Sequence, residues 1–216
     1  MKTLNFTKNF KNKKIIVTGH TGFKGAWLTF WLKKLGANIL GISYSFKTKP
    51  SIFNTLNLTK GVKSKDLDIR NLKKLSKAIN NFKPDFIFHL AAQSLVKKSY
   101  LDPVYTIETN SIGTLNILES LKNLKKKCNV VLITSDKSYK NLELKRGYKE
   151  NDILGGVDPY SASKACAELI IRSQINSYFK KESKIKIGIA RAGNVIGGGD
   201  WSEDRLVPDC IRSWST

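Results

Sequence analysis

Tyr160 and Lys164 stand four residues apart in a segment with helical patterning, so the two side chains share one helix face. An ammonium held beside a phenol draws its pKa down from the ordinary ~10 toward neutrality, which makes the pair a candidate general base. Upstream, Thr134-Ser135-Asp136-Lys137 closes an apolar, β-branched run and offers a hydroxyl, a carboxylate and an ammonium at consecutive positions. Nearer the start, Thr18-Gly19-His20-Thr21-Gly22-Phe23-Lys24-Gly25 follows a first apolar run and opens a helical one. Glycines at 19, 22 and 25 allow a tight turn, a close approach to a pyrophosphate and packing of helix on strand. The helix N-terminus adds N–H groups and a positive dipole for the phosphates.

Order along the chain gives these pieces weight, because strand ends and helix starts converge on one cleft in a parallel α/β sheet. Residues 14–18, 38–43, 62–67, 85–89, 130–134 and 185–190 read as strands, the third of them weak. Residues 23–35, 71–82, 103–124 and 159–179 read as helices, the last two each with Pro near the first turn. Residues 44–61 form a long polar connection. Such alternation predicts a doubly wound parallel sheet, Rossmann-like, with residues 1–216 as one domain.

A dinucleotide needs further contacts, and the sequence offers some of them. The acidic residue that holds the adenosine ribose, ~20 positions past the glycine loop, is absent. Ser43-Tyr44-Ser45 stand there with Lys47 and Lys49 nearby, so charge alone leaves NADP open beside NAD. Asp68-Ile69 could accept from an adenine amino group, or Asp68 could cap the helix that follows. Leu90-Ala91-Ala92-Gln93 places small residues where a cofactor could cross the sheet edge. Lys24 reads as a solvated lysine and His89 as a hydrogen-bonded core residue.

Composition narrows the function classes. The chain has 216 residues and a formal charge of +21, yet only six of its 38 basic residues are Arg, the side chain best suited to reading phosphate and guanine. Lys, Asn and Ile are enriched together, a codon bias rather than a nucleic-acid footprint, and no nucleic-acid partner is expected. No apolar run approaches the ~20 residues of a membrane span, and the N-terminus lacks the apolar stretch of a secretory signal. Three widely spaced cysteines, Cys128, Cys166 and Cys210, fit a reduced, cytoplasmic protein, and no metal site is expected.

These segments resemble the extended short-chain dehydrogenase/reductase family, and within it the branch of CDP-glucose 4,6-dehydratases. The likeness is carried by residues 17–25, 89–96, 134–139, 148–152, 155–164 and 191–201, with Asp136-Lys137 the most specific element, since related dTDP-glucose dehydratases carry Asp-Glu there. The resemblance implies NAD as cofactor and a nucleotide sugar, CDP-glucose, as substrate. It implies Tyr160 as the base at the sugar 4-hydroxyl, Lys164 on the nicotinamide ribose, and Ser135 on the same hydroxyl. Asp136 would be the acid at the C6 hydroxyl and Lys137 the base at C5. Cofactor contacts would come from Gly19, Thr21, Gly22, Phe23, Gly25, Ser43, Asp68, Ile69, Leu90, Ala91, Ala92 and Gln93, and substrate contacts from Ser94, Asn194 and Arg205. Asp136-Lys137 as a surface ion pair and Asn194 as a turn cap remain the plainer readings. Family members continue past residues 206–209 into a C-terminal substrate lobe, which is expected to be essentially absent from this chain. The two long helices, with Leu115, Leu118, Ile170 and Ile171 on more than one face, are expected to pair across a two-fold axis into a homodimer. The alternatives are a same-fold epimerase or reductase, which needs Tyr160 and Lys164 but not Asp136-Lys137, and a non-catalytic NAD-binding remnant.

Overall fold

Ile15 and Val17 face one side of strand β1 (Lys14–Thr18) and Ile16 the other, and all three are fully buried. A strand apolar on both faces needs a layer on each side of its sheet. The computed structural model, which describes residues 6–44, 49–180 and 182–215, supplies both. Strands β2 (Asn38–Ser43), β3 (Lys63–Asp66), β4 (Phe86–His89), β5 (Cys128–Ile133) and β6 (Ile185–Ala190) join β1 in a six-stranded parallel sheet of order β3-β2-β1-β4-β5-β6. This is the dinucleotide-binding order, whose reversal point lies between β1 and β4.

After a short α1 (Phe6–Phe10), helices α2 (Phe23–Lys34) and α3 (Ile52–Thr55) cover one face through Ala26, Leu32, Ile52 and Phe53. Helices α4 (Leu72–Phe82), α7 (Gly113–Leu121) and α8 (Pro159–Tyr178) cover the other through Leu75, Ile79, Ile117, Leu118, Leu121 and Ile171. Caps set the helix starts: Asn71 accepts from Lys74 N at 3.0 Å and Asp158 from Ser161 N at 3.0 Å, with Pro159 in the first turn. Since Asn71 caps α4, Asp68 is left to another role.

The structure corrects several expected boundaries. The segment 103–124 is α6 (Pro103–Ile107), a π turn (Glu108–Ile112) and α7, ending at Leu121. The connection 44–61 carries α3, the fifth strand begins at Cys128 and ends at Ile133, and α5 (Val96–Leu101) and α9 (Leu206–Trp214) were not foreseen. Leu118 and Ile171 are core residues, so the outward apolar face is instead Leu101, Val104, Ile107, Ile112 and Leu169. Along β5 and β6 only alternate residues are packed, and Gly188 faces open space. Among the described residues no helix is long and apolar enough to cross a membrane.

Candidate functional site

Gly19 adopts φ +73°, in the left-handed region, and a Cβ there would lie 2.8 Å from Ala91 N. A Cβ on Gly25 would overlap the Gly19 carbonyl oxygen, so the first turn of α2 packs directly against the loop. The N-cap position, Gly22, offers no side-chain cap, and the first turn holds no acidic residue, which leaves its N–H groups to an anion. Thr18 ties this loop to the end of β4: its Oγ1 accepts from Ala91 N at 3.2 Å and pairs with His89 Nδ1 at 2.7 Å. The other His89 nitrogen meets Thr114 Oγ1 at 3.2 Å, and burial, with Lys164 nearby, pushes the imidazole pKa down to about 3. His89 is therefore a neutral core residue, as its sequence context implied.

The cleft that opens at these strand ends is lined by all the residues proposed above for the cofactor, and by Ser94 and Arg205 as well. Ser43 is not free there: its Oγ meets His20 Nδ1 at 2.9 Å, and His20 Nε2 meets Ser64 Oγ at 2.7 Å. Ser45 and Lys47 lie outside the described residues. Gln93 lines the cleft while its amide group is engaged with Leu95 and with Thr106 Oγ1 at 2.9 Å. Asp68 faces the cleft with its carboxylate gripped by Arg70. Burial would raise that carboxyl, and the Arg70 hydrogen bonds more than offset it, holding the group below the ordinary carboxylate range.

Tyr160 and Lys164 are both buried on α8 and both line the cleft. Ser135 draws the Tyr160 phenol pKa down, and its Oγ donates to Asp136 Oδ1 at 3.0 Å. The expected fall of the Tyr160 pKa toward neutrality needs correcting. Burial raises the phenol pKa, and Ser135 and Arg205 oppose that rise without overcoming it. Burial, reinforced by Lys24, instead lowers Lys164 itself to about 8. Lys24 keeps solvent contact but lines the cleft, where partial desolvation and Arg205 lower its pKa, so it is more than a solvated lysine.

Asp136, Lys137 and Asn194 form a separate cluster. Lys137 Nζ lies 3.6 Å from Asp136 Oδ1 and 3.5 Å from Asn194 Oδ1, and the Asp136 side chain is 51% exposed. None of the three lines the cleft, although Ser135 donates to Asp136 and acts on the Tyr160 phenol. The residue that sequence reasoning missed is Glu168, fully buried two turns along α8 from Tyr160. Its carboxylate accepts from Thr134 Oγ1 at 2.7 Å, Ser138 Oγ at 3.0 Å and Arg191 Nε at 2.6 Å. One carboxylate thus joins the turn carrying Ser135, Asp136 and Lys137 to α8 and to the exit of β6. Beyond β6, Trp27 Nε1 donates to Gly198 O at 2.9 Å, and Gly199, Asp200, Trp201 and Ser202 complete the cleft wall.

Residues 16–187 match the family described as GDP-mannose 4,6 dehydratase. A CDP-glucose 4,6-dehydratase of Salmonella typhimurium is 48% identical over 96% of this chain and 59% of its own length. A dTDP-D-glucose 4,6-dehydratase of Dictyostelium discoideum is 30% identical over 93% of this chain and 48% of its own. Among solved structures, a dTDP-glucose 4,6-dehydratase double mutant from Streptomyces venezuelae with NAD and DAU bound superposes with TM-score 0.78 at 23% identity, covering 93% of this chain and 62% of that one. The chain therefore spans about half to three fifths of the length of these relatives.

Proposed function

Because this chain belongs to the GDP-mannose 4,6-dehydratase family of extended short-chain dehydrogenases/reductases, we propose that it is the NAD-binding portion of an enzyme converting CDP-glucose to CDP-4-keto-6-deoxyglucose. The observation that carries this reading is that Ser135, which draws the Tyr160 phenol pKa down, also donates to Asp136, so residues for proton removal and for dehydration adjoin one another. The left-handed Gly19, the Gly19 and Gly25 close approaches and the uncapped α2 N-terminus fit a pyrophosphate, which supports a dinucleotide in the cleft.

NAD, when bound, supplies the hydride acceptor for C4 of the hexose and the hydride donor for C6. Tyr160 as phenolate takes the proton of the 4-hydroxyl, and Ser135 hydrogen-bonds that hydroxyl. Lys164 holds the nicotinamide ribose. The resulting 4-keto group acidifies C5, where Lys137 takes the position of the base and Asp136 that of the acid at the departing C6 hydroxyl. Ser94, Asn194 and Arg205 contact the substrate; Arg205 Nη2 lies 3.4 Å from Ser94 Oγ, and its buried Nε has no hydrogen-bond partner, which suits it to a substrate acceptor. The outward apolar faces of α6, the π turn and α8 support a homodimer, and the composition supports a cytoplasmic location.

The test joins this chain to a family C-terminal lobe and compares Tyr160→Phe with Asp136→Asn. Tyr160→Phe is expected to suppress both cofactor reduction and keto-sugar formation. Asp136→Asn is expected to permit C4 oxidation, seen as reduced-nicotinamide absorbance, while slowing loss of the 6-hydroxyl by ~100-fold or more. Equal residual activity in the two variants would overturn the roles. C4 oxidation and return without dependence on Asp136 would favour an epimerase or reductase.

A further inference from the structure

Arg70 lies outside the cleft wall, yet its contacts decide what the Asp68 carboxylate can do. The Arg70 backbone N–H reaches Asp68 Oδ1 at 2.8 Å, Nε is shared between Oδ1 at 3.2 Å and Oδ2 at 3.0 Å, and Nη2 reaches Oδ2 at 2.7 Å. Those three hydrogens occupy most of the roughly four acceptor sites of a carboxylate and leave about one for a ligand. The guanidinium is itself fixed from the far side. It lies 4.7 Å from the centroid of the Tyr105 ring and donates through Nη1 to Glu108 Oε2 at 2.9 Å. Tyr105 belongs to α6 and Glu108 opens the π turn, so the local helical irregularity sets the Arg70 position.

The next residue of the π turn, Thr109, is 8% exposed and lines the same cleft, and its Oγ1 has no hydrogen-bond partner. A buried hydroxyl without a partner, in the cleft that the fixed Asp68 carboxylate also lines, marks a place for a polar planar group. We propose that Arg70, clamped by Tyr105 and Glu108, is a specificity-determining positioning residue that fixes Asp68 as an acceptor-only group, so the pocket selects a purine with an exocyclic amino group at C6. This rests on the dinucleotide reading above and extends it from the cofactor class to how its base is read. A carboxylate held ionised accepts from the adenine amino group; the 6-carbonyl oxygen of hypoxanthine would face it as a second acceptor, and reaching that base's N1–H instead requires the carboxylate to turn away from its Arg70 fork. Arg70 supplies the orientation, because a bidentate fork restrains a carboxylate in a way a point charge does not.

Titration calorimetry of this chain with NAD and with nicotinamide hypoxanthine dinucleotide tests the proposal. The wild-type chain is expected to prefer NAD by ~10–100-fold, the range of a hydrogen bond to a charged group. Arg70→Met is expected to weaken NAD binding by ~10-fold or more and leave the hypoxanthine analogue nearly unchanged, collapsing the preference. Glu108→Gln, which removes one clamp and spares the Arg70–Asp68 pair, is expected to reduce the preference partially, and it carries the test if Arg70→Met fails to fold. Equal weakening of both dinucleotides, or an unchanged preference in the variants, would overturn the role of Arg70 while leaving the cofactor reading standing. Failure of the wild-type chain to bind either compound would overturn both.

Discussion

The two ends of the candidate site are built differently. Around the glycine loop, Thr18, His20, His89 and Lys164 are buried; Thr18 and His89 link β1, β4 and α7, and His20 links β2 and β3, through side-chain hydrogen bonds between 2.7 and 3.2 Å. At the other end Asp136, Lys137 and Asn194 meet at 3.5–3.6 Å with their side chains substantially in water. Beyond β6, Ile196, Leu206, Ile211 and Trp214 are exposed, α9 has no buried residue, and the β5–β6 side of the sheet keeps one face partly open. A pyrophosphate needs fixed N–H groups, which the backbone supplies before any ligand arrives. A general acid and base gain their strength from exclusion of water, which an exposed ion pair lacks. The glycine-loop end is preorganised, and the Asp136 end has its residues adjacent but exposed.

The largest effect on ligand affinity is expected at Gly25. Gly25→Val places atoms on the Gly19 carbonyl, so the loop must open and the α2 N-terminus must retreat from the phosphates. Calorimetric affinity for NAD should fall by ~100-fold or more, equivalent to about 3 kcal/mol of lost phosphate contacts. An affinity within threefold of wild type would mean that the loop is not the phosphate site.

Glu168 tests the link between the two ends. Removing one partner of a buried ion pair costs about 3–5 kcal/mol, and Glu168→Ala leaves Arg191, Thr134 and Ser138 without their acceptor. Burial would raise its carboxyl, but hydrogen bonds from Arg191 and Thr134 hold it below the ordinary range, so the charged form is the native one. Asp136→Ala, at the exposed end, should change denaturant stability by no more than about 0.5 kcal/mol. Similar losses in both variants would erase the distinction drawn between the two ends.

How much of this was legible in the sequence follows the same division. Strands β1, β2 and β6 begin and end where their apolar runs predicted, because β-branched stretches bounded by polar turns leave little choice. Strand β3, Lys-Ser-Lys-Asp, is exposed at every residue, so its weak signal had no buried face to report. The π turn was invisible to a helical period because it inserts within a continuous helical pattern. The glycine loop, Asp68, Tyr160 and Lys164 stand at strand ends and helix starts, positions legible in the sequence, and all of them line one cleft. Glu168 was not legible, because a glutamate on a helix reads as solvated until Thr134, Ser138 and Arg191, distant in the chain, surround it. Lys24 is exposed as its context implies, and its nearness to Arg205 was hidden because that residue lies far along the sequence.

A last expected effect concerns the charge of Lys164 at the preorganised end. Burial and the neighbouring Lys24 lower its pKa from 10.5 to about 8, so the fold disfavours the ammonium. Below pH 8 the lysine is charged in both states and the native state bears that cost in full. Between pH 8 and 10.5 the unfolded chain still binds a proton that the folded chain has released, so stability rises with pH across this window. Denaturant unfolding of wild type and Lys164→Met, compared at pH 7, 9 and 10.5, should show wild type gaining on the variant by on the order of 2–3 kcal/mol. The comparison between variants cancels the titration of the many surface lysines common to both. A difference independent of pH would place the ammonium in water, and the buried cleft wall that sets this end apart from the Asp136 end would lose its charged member.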